Sequence, residues 1–265
     1  METEEKDIVT VDEIREAVAA IKAERPAYTE LLDFFEKLFL AQEGAKGRVQ
    51  LEPIQISEEL LLIKRKESLP LINRGDFAID IKASETLIRE ICRLAMVTNE
   101  LLAEASNKLA EALDRGMLEV ALFSKILSED ETDLEKAAQE LKIDKKILAF
   151  FVYSSIRPSL CLCAEQLATY LDNDGPWKRG YCPICGSPPA LSILRDDGER
   201  SLVCSFCGHE WHAQRIFCPF CENKDYKTLH YFFSEEEKGY RVDVCDACKK
   251  YLKTVDTTGM KHPIY

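Results

Sequence analysis

Four cysteine pairs, each with the spacing Cys-x-x-Cys, dominate the last third of this 265-residue chain. Eighteen residues separate the first pair from the second, ten the second from the third, and 23 the third from the fourth. The first interval is typical of a zinc site made by two such pairs, and the last follows the same plan with a longer insert. Because two pairs supply four thiolates to one ion, the spacing predicts two consecutive metal-binding ribbons. The predicted metal ligands are Cys182, Cys185, Cys204, Cys207, Cys218, Cys221, Cys245 and Cys248.

Four thiolates in tetrahedral geometry suit Zn²⁺ or a rubredoxin-type iron. We expect two metal ions, Zn²⁺ in the purified protein, with iron as the alternative in the cell. Disulfides are disfavoured because residues 1–10 carry no secretory signal and the cytosol keeps thiols reduced. A catalytic dithiol requires one such pair, not four. Since each site is closed by protein ligands, both are predicted to be mainly structural.

The turn that closes each cysteine pair differs between the two ribbons. Gly186 and Gly208 follow the first two pairs, where glycine permits the positive φ that often ends such a turn. Glu222 and Lys249 occupy the equivalent positions of the second ribbon. The sequence therefore leaves the geometry of the second ribbon open, although its number of ligands is the same.

The part of the chain before residue 175 has helical periodicity. Thr10 and Glu13 have the spacing of a capping box, and Pro26 separates the first helix from the second. A long helix is predicted from Ser84 to about Asp114, and a later one is predicted to be interrupted at Pro158. The stripe predicted to face the core from the second helix is Leu31, Phe34, Phe35, Leu38 and Phe39.

Short β-type segments lie between the cysteine pairs beyond residue 175. The predicted strands are Leu191 to Leu194, Ser201 to Val203, Leu229 to Phe233 and Tyr240 to Val244. The predicted fold class is multidomain, α plus small β. An all-helical N-terminal domain (residues 1–175) precedes two tandem rubredoxin-like, zinc-ribbon modules, at residues 176–213 and 214–265.

The distribution of charge disfavours nucleic acid as a partner. Residues 1–175 have a balance of −13 and residues 176–265 a balance of +1. Each metal with four thiolates adds about −2, so the ribbon region becomes negative as well. The acidic part suits a cationic partner or simply keeps the chain soluble. The longest apolar stretch, near Ile147 to Ile156, is about ten residues and too short to span a bilayer, so we expect a cytoplasmic protein without stable membrane association.

Several motifs are decoys. The segment HEWH, from His209 to His212, differs from the His-Glu-x-x-His of a metalloprotease, and His209 is predicted to lie at the surface. Trp211 is predicted to pack between or beside the ribbons. Nucleophile-elbow, P-loop and dinucleotide motifs are absent from the sequence, which favours a protein that is not an enzyme. The cysteines predicted to be small core residues are Cys92, Cys161 and Cys163.

The chain resembles the FdhE family of formate dehydrogenase accessory proteins. The resemblance depends on ERPAY (Glu24 to Tyr28), the Phe-rich helix after it and Gln42. It depends more strongly on the segments RGYCPICGSPP (Arg179 to Pro189), CSFCGHEWHAQRIFCPFC (Cys204 to Cys221) and CDACKKYLK (Cys245 to Lys253).

This resemblance implies a cytoplasmic accessory protein, needed for assembly of active formate dehydrogenase, that binds the catalytic subunit before its export or membrane insertion. It implies molybdenum- or tungsten-dependent clients and rubredoxin-like metal sites on the eight cysteines, and it gives no role to His209. The alternative function is rubredoxin-like electron transfer to a redox partner.

Overall fold

The computed structural model describes residues 10–118, 122–127, 131–171, 177–195, 197–236 and 239–258. Its α-helices are Val11–Glu24 (α1), Thr29–Lys46 (α2), Glu58–Glu67 (α3), Ile81–Ala95 (α4), Glu100–Asp114 (α5), Leu122–Lys125 (α6), Thr132–Leu141 (α7) and Lys145–Ala168 (α8). Its strands are Pro189–Leu194 (β1), Arg200–Cys204 (β2), Glu210–Ala213 (β3), Leu229–Phe233 (β4), Tyr240–Cys245 (β5) and Tyr251–Asp256 (β6). The chain forms two compact units. The first unit is Met1–Gln50 with Ile79–Ser159, and the second is Leu51–Ala78 with Leu160–Tyr265.

The first unit is a helical assembly in which α2 contacts α1 and α4, and α4 contacts α5. The predicted capping box at the start of α1 is confirmed, because the Thr10 side chain accepts from the Glu13 N–H and the Glu13 carboxylate accepts from the Thr10 N–H. The face that α4 turns to the core is completely buried at Leu87, Ile88 and Ile91. Burial of such side chains is the main stabilising contribution to this unit.

The predicted core stripe of α2 is partly wrong. Phe34 and Leu38 are buried, but Leu31 and Phe39 are 55% and 44% exposed. The helix instead buries Ala41 and Ala45 on the face of Leu38. Alanine allows close helix packing but contributes little to an apolar pattern, so the true face of the helix was not evident from its large side chains.

The single long helix predicted from Ser84 to Asp114 is also wrong, since the chain forms α4 and α5 there. The side chain of Asn99 accepts a hydrogen bond from the Leu102 N–H and begins α5 in the geometry of an N-cap. The apolar spacing continues across the break, which explains why periodicity alone merged the two helices.

Helix α8 continues through Pro158, where an interruption was predicted. Proline lacks the N–H that would bind the carbonyl of Ser154 one turn earlier. The side-chain amide of Gln42 donates to that carbonyl at 2.8 Å instead. A tertiary hydrogen bond therefore replaces the one that the helix loses.

By length and composition, α8 could cross a membrane, with a mean hydropathy of 1.6 over its most apolar 18 residues. The helix is much longer than the apolar stretch of about ten residues near Ile147 to Ile156. The serine and cysteine residues that follow this stretch are only weakly polar, so the mean hydropathy of the longer window stays high. Of that window, 56% is buried inside the protein, as in the core helix of a soluble protein. Among the described residues, α8 is the one helix that is long and apolar enough for this test, which a mostly buried core helix also passes.

The second unit contains one six-stranded sheet in the order β3-β2-β1-β6-β5-β4. Strands β1 to β3 form the antiparallel first ribbon and β4 to β6 the antiparallel second ribbon. The two ribbons join through parallel pairing of β1 with β6, with Leu191 opposite Lys253 and Leu194 opposite Asp256. All four predicted strands are confirmed, whereas β3 and β6 were not predicted.

Residues 51–78, which the sequence placed in the helical domain, pack with the first ribbon in the second unit. The N–H groups of Leu71 and Ile72 donate to the carbonyls of Pro183 and Ile184, both at 2.9 Å. The predicted domain boundary near residue 175 lies outside the described residues, and the predicted division into three domains stays a prediction. The predicted fold class, helical first and then a small sheet with two cysteine groups, is confirmed.

Candidate metal centres

The structure brings the eight predicted ligands together in two groups of four, and in each group the sulfur atoms all lie within 4.8 Å of one another. In the first centre, the Cys182 and Cys207 sulfurs are 3.7 Å apart. The Cys185 sulfur lies 3.5 Å from that of Cys204 and 3.8 Å from that of Cys207. That these cysteines bind metal stays a prediction, and the structure supplies its geometric test.

The second centre has the same dimensions. The Cys218 and Cys248 sulfurs are 3.6 Å apart, and those of Cys221 and Cys245 are 3.7 Å apart. Each pair joins cysteines from different turns, as two facing Cys-x-x-Cys turns require. The second ribbon therefore has the ligand arrangement of the first, despite its different turn residues.

Both groups fit a tetrahedral S₄ site. With zinc–sulfur bonds of about 2.3 Å, the sulfurs of a regular tetrahedron are about 3.8 Å apart. The distances in both centres are within a few tenths of an ångström of this value, and far longer than the bond of about 2.05 Å in a disulfide. The two groups could therefore hold two metal ions, each with four protein ligands.

All four Cys-x-x-Cys turns, called knuckles below, share a hydrogen bond from the N–H of their first cysteine to the carbonyl five residues later. In the first, the Gly186 N–H donates to the Cys182 carbonyl at 2.9 Å. In the third and fourth, the Glu222 and Lys249 N–H groups donate to the first cysteine's carbonyl at 2.8 Å. Glu222 and Lys249 have φ of 57° and 59°, close to the 73° of Gly186 and 75° of Gly208. The second ribbon therefore keeps the turn geometry that the sequence left open, with a non-glycine residue in the left-handed conformation.

In the knuckles of Cys204, Cys218 and Cys245, backbone N–H groups also point at the sulfur of the first cysteine. The N–H groups of Phe206 and Cys207 lie 3.4 Å and 3.5 Å from the Cys204 sulfur. Such donors favour the thiolate form. In the second centre, burial of Cys245 opposes ionisation, but hydrogen bonds from the Cys248 N–H and the Asn223 amide lower the pKa of the Cys245 thiol to about 6.

Other thiols of both groups keep their protons more firmly. Burial raises the pKa of the Cys182 thiol far above its usual value, and burial raises the pKa of Cys218 to about 12. Four thiolates within 4.8 Å of one another repel strongly unless a cation lies between them. Metal binding would therefore release protons from these groups, and acid would oppose it.

The two centres differ in exposure. All four cysteines of the first centre are buried, with Cys185 the most exposed at 5%. In the second centre Cys218 and Cys245 are buried, Cys248 is half-buried and Cys221 is exposed. Solutes can therefore reach sulfur atoms of the second centre more readily than those of the first.

The first centre is covered by residues 69–78. The Phe77 and Phe206 rings meet edge to face at 5.3 Å, and the Arg74 guanidinium lies 4.4 Å from the centre of the Phe206 ring. Phe206 belongs to the knuckle of Cys204, so these contacts bury one side of the centre. The Tyr181 hydroxyl donates to the Ser68 carbonyl at 2.8 Å beside the other knuckle.

A buried arginine connects the two ribbons. Arg200 on β2 donates to the Ser192 hydroxyl and to the Phe217 carbonyl, both at 2.9 Å. Its guanidinium also lies 3.5 Å from the Asp243 carboxylate on β5. Burial lowers the pKa of Arg200, while the charge of Asp243 opposes that effect. Sequence reasoning missed this residue, because an arginine at the start of a strand carries no signal of burial.

The structure also places the decoys. His209, predicted at the surface, is buried, because its carbonyl accepts from the Cys204 N–H in the knuckle turn and holds the residue against the sheet. The segment from His209 to His212 enters strand β3 and forms no metalloprotease helix, as expected. Trp211 is buried on β3 opposite Leu202.

The remaining cysteines are Cys92, Cys161 and Cys163. Cys92 and Cys163 are buried, in agreement with their predicted role as small core residues, and Cys161 is half-buried. Burial raises the pKa of Cys92 to about 12. Such a thiol is largely inert.

Three comparisons with known proteins find similar sequences and a similar fold. Residues 181–215 match the family model "FdhE, central domain". An FdhE homologue from Aquifex aeolicus is 33% identical over 118 residues, 43% of this chain and 41% of that protein. FdhE of Escherichia coli K12 is 39% identical over 80 residues, 29% of this chain and 25% of that protein. An FdhE homologue from Haemophilus influenzae is 26% identical over 163 residues, 60% of this chain and 52% of that protein. The chain thus matches about half or less of the length of these relatives.

The crystal structure of FdhE from Pseudomonas aeruginosa has the same fold. It aligns with a TM-score of 0.55 over 96% of this chain and 85% of its own, at 21% sequence identity. The resemblance to the FdhE family that the cysteine motifs predicted is confirmed by these findings.

Proposed function

We propose, from its confirmed resemblance to the FdhE family, that this chain is an accessory protein for the maturation of formate dehydrogenase. It binds the catalytic subunit of that enzyme in the cytoplasm and is needed for assembly of the active enzyme. It is not itself an enzyme, binds no nucleic acid and has no stable membrane association.

The observation that carries this proposal is the match of the cysteine region to the FdhE central domain, in a sheet built around two S₄ groups. A metal held by four protein sulfurs has no open position for a substrate or an activated water. The eight cysteines would hold two ions, Zn²⁺ in the purified protein, and stabilise the small sheet. In this role the metal supplies folding free energy and the surface of the protein recognises the client.

The test is capture of the client. The tagged protein would be purified from its host's lysate without oxygen, beside an unrelated zinc-ribbon protein with the same tag, and bound proteins identified by mass spectrometry. We expect selective enrichment of a formate dehydrogenase catalytic subunit. A lysate that contains this subunit and yields none of it with the tagged protein would refute the proposal.

Electron transfer is a second candidate, favoured by the exposure of Cys221 and the half-burial of Cys248 in the second centre. Iron in an S₄ site can change its oxidation state, whereas zinc cannot. Protein purified without oxygen from iron-replete cells would then be coloured and bleach on reduction. Colourless protein with two zinc ions per chain would exclude this candidate.

A further inference from the structure

The second ribbon contains a cavity of about 330 Å³ beside the second metal centre. It lies between the segment 215–220, which leads into the third knuckle, and strands β4 and β5. Ile216, Phe217 and Leu252 give it apolar walls. Its volume is at the lower end of the range of about 300–1,000 Å³ found for ligand pockets.

Cations exceed anions around this cavity. Arg215, Arg241 and Lys250 line it, together with the buried Arg200. Among the residues that line the cavity, Asp243 is the acidic one. It already lies 3.0 Å from Arg241 and 3.5 Å from Arg200. Two ligand sulfurs of the second centre also line the cavity, and a metal held by four thiolates would add about −2 there. The four cations therefore exceed the anions by about one charge, and Arg215 and Lys250 are the cations not paired with the carboxylate.

Aromatic rings stand at the same opening. Tyr226 and Tyr231 line the cavity and are 68% and 58% exposed. The Arg241 guanidinium lies 4.6 Å from the centre of the Tyr231 ring, and the Lys250 ammonium lies 5.3 Å from that of Phe220. An inorganic anion would not use these rings. The lining therefore suits an anionic group attached to an apolar body.

The cavity is continuous with an edge of the sheet. Strand β4 is terminal in the strand order, and His230 to Phe233 are exposed along it. Leu229 and Tyr231 line the cavity, and Phe233 follows on the same face, where its ring stacks with Tyr231 at 6.3 Å. An exposed edge strand can accept an extended peptide as a further strand. Alternate side chains of such a peptide would reach the cavity face.

We propose that strand β4 and this cavity bind an extended peptide segment of a protein partner, in which an apolar residue has one acidic residue two positions before it and another two positions after it, so that all three side chains face the cavity. The peptide backbone pairs with β4, its apolar side chain enters the cavity and its carboxylates meet Arg215, Arg241 and Lys250. The inference rests on the proposed function in that the natural segment belongs to the client protein. The cations that line the cavity favour an acidic segment, and the exposed strand edge favours a peptide over a small molecule.

The direct test uses two fluorescein-labelled peptides and the full chain with its metal. In one peptide, glutamates lie two residues before and two residues after a phenylalanine, with serine between them, so that all three side chains project from one face of an extended strand, and the other peptide has lysine in place of each glutamate. By fluorescence anisotropy, we expect the glutamate peptide to bind about tenfold more tightly, since charge complementarity sets this preference. Arg215→Glu combined with Lys250→Glu should remove that preference.

The matched control is Lys224→Glu combined with Lys253→Glu. This control changes the net charge by the same amount, and neither lysine lines the cavity. Lys253 pairs with Val242, which lies between Arg241 and Asp243 on β5, so Lys253 is on the face of the sheet opposite these two residues. The control should keep the preference for the glutamate peptide. Equal binding of the two peptides by the wild-type chain, or equal loss in both double variants, would overturn the site. If methylation of alternate backbone nitrogens left peptide binding unchanged, strand pairing would be overturned.

Capture from lysate separates this inference from the proposed function. A client retained by the wild-type chain and lost by the Arg215→Glu/Lys250→Glu variant supports both. A client retained equally by both chains overturns this site as the client contact and leaves the function intact. Selective peptide binding without any client capture supports the site and refutes the function.

Discussion

The residue that closes each knuckle has a positive φ, whatever its side chain. Glycine adopts this conformation freely, whereas Glu222 and Lys249 adopt it against a penalty of roughly 1–2 kcal/mol per residue. Glu222 has a compensation, because its carboxylate lies 3.3 Å from the Gly180 N–H and 3.3 Å from Arg179. Lys249 has the exposed contact with Asp246 at 3.4 Å, which contributes little.

We therefore predict that Lys249→Gly raises the free energy of unfolding of the second unit by about 0.5–1 kcal/mol, the penalty of the left-handed lysine less the entropy of glycine. Chemical denaturation of the metal-loaded protein would measure it. The converse change, Gly186→Ala, should lower stability by at least about 1 kcal/mol. Its new Cβ would also lie 3.3 Å from the Pro70 ring. The two substitutions are expected to change the free energy of unfolding in opposite directions, and stabilisation by both would contradict this account.

The contact between Gln42 and the Ser154 carbonyl gives a second prediction. Gln42→Leu should lower the free energy of unfolding by about 1–3 kcal/mol, because the carbonyl loses its donor opposite Pro158. In the Pro158→Ala background the loss should be smaller, since a new backbone N–H at position 158 can bind that carbonyl. A double-mutant cycle in urea would reveal coupling of at least about 0.5 kcal/mol. Strict additivity would mean that Gln42 does not compensate for the proline.

Segment 69–78 belongs to the architecture of the first ribbon, although it lies more than 100 residues before the first cysteine pair. Two backbone hydrogen bonds and the Phe77–Phe206 contact bind it to both knuckles of the first centre. The segment thus completes a ribbon that is too small to bury its own knuckles. Its removal should expose the first centre.

Phe77→Ala should destabilise the second unit by about 3 kcal/mol or more, as expected when a buried phenylalanine leaves a cavity. The same change should hasten metal release from the first centre, measured with a chromogenic chelator. Phe232→Ala is the matched control, because Phe232 is 60% exposed. It should change stability by no more than about 0.5 kcal/mol. Similar metal release from both variants would mean that segment 69–78 does not protect the centre.

The two centres share one sheet but differ in access, and this difference predicts an order of metal loss. A chelator should remove one ion per chain quickly from the second centre and the other slowly. Alkylation followed by mass spectrometry should modify Cys221 and Cys248 first, because these sulfurs are the accessible ones. Simultaneous loss of both ions, or early modification of the buried Cys182, would contradict the order.

Acid should remove the metal from either centre, because its ligands bind as thiolates and protons compete for the sulfurs. Since the pKa of Cys245 is lowered to about 6 while that of Cys218 is raised to about 12, the sulfurs of the second centre do not contribute equally to this competition.

Local signals were sufficient for much of this protein. The spacing of the cysteines determined which eight sulfurs meet and in what pairs, because a knuckle is made by a few consecutive residues. The N-cap of α1 and four of the six strands were likewise evident from neighbouring residues. The short strand β3 and the strand β6, which carries lysine and threonine, have weak local patterns and were missed.

Tertiary structure decided the features that depend on distant partners. Parallel pairing of β1 with β6 joins the two ribbons into one sheet, and residues 51–78 join the ribbons in the second unit. Helix α8 passes Pro158 because of Gln42, and Arg200 is buried because partners from β1, β5 and the loop at Phe217 surround it. The cysteines determine a local geometry that metal can stabilise by itself. The joining of the ribbons, the packing of residues 51–78, the course of α8 and the burial of Arg200 depend on hydrogen bonds and burial that exist only when segments far apart in the chain come together.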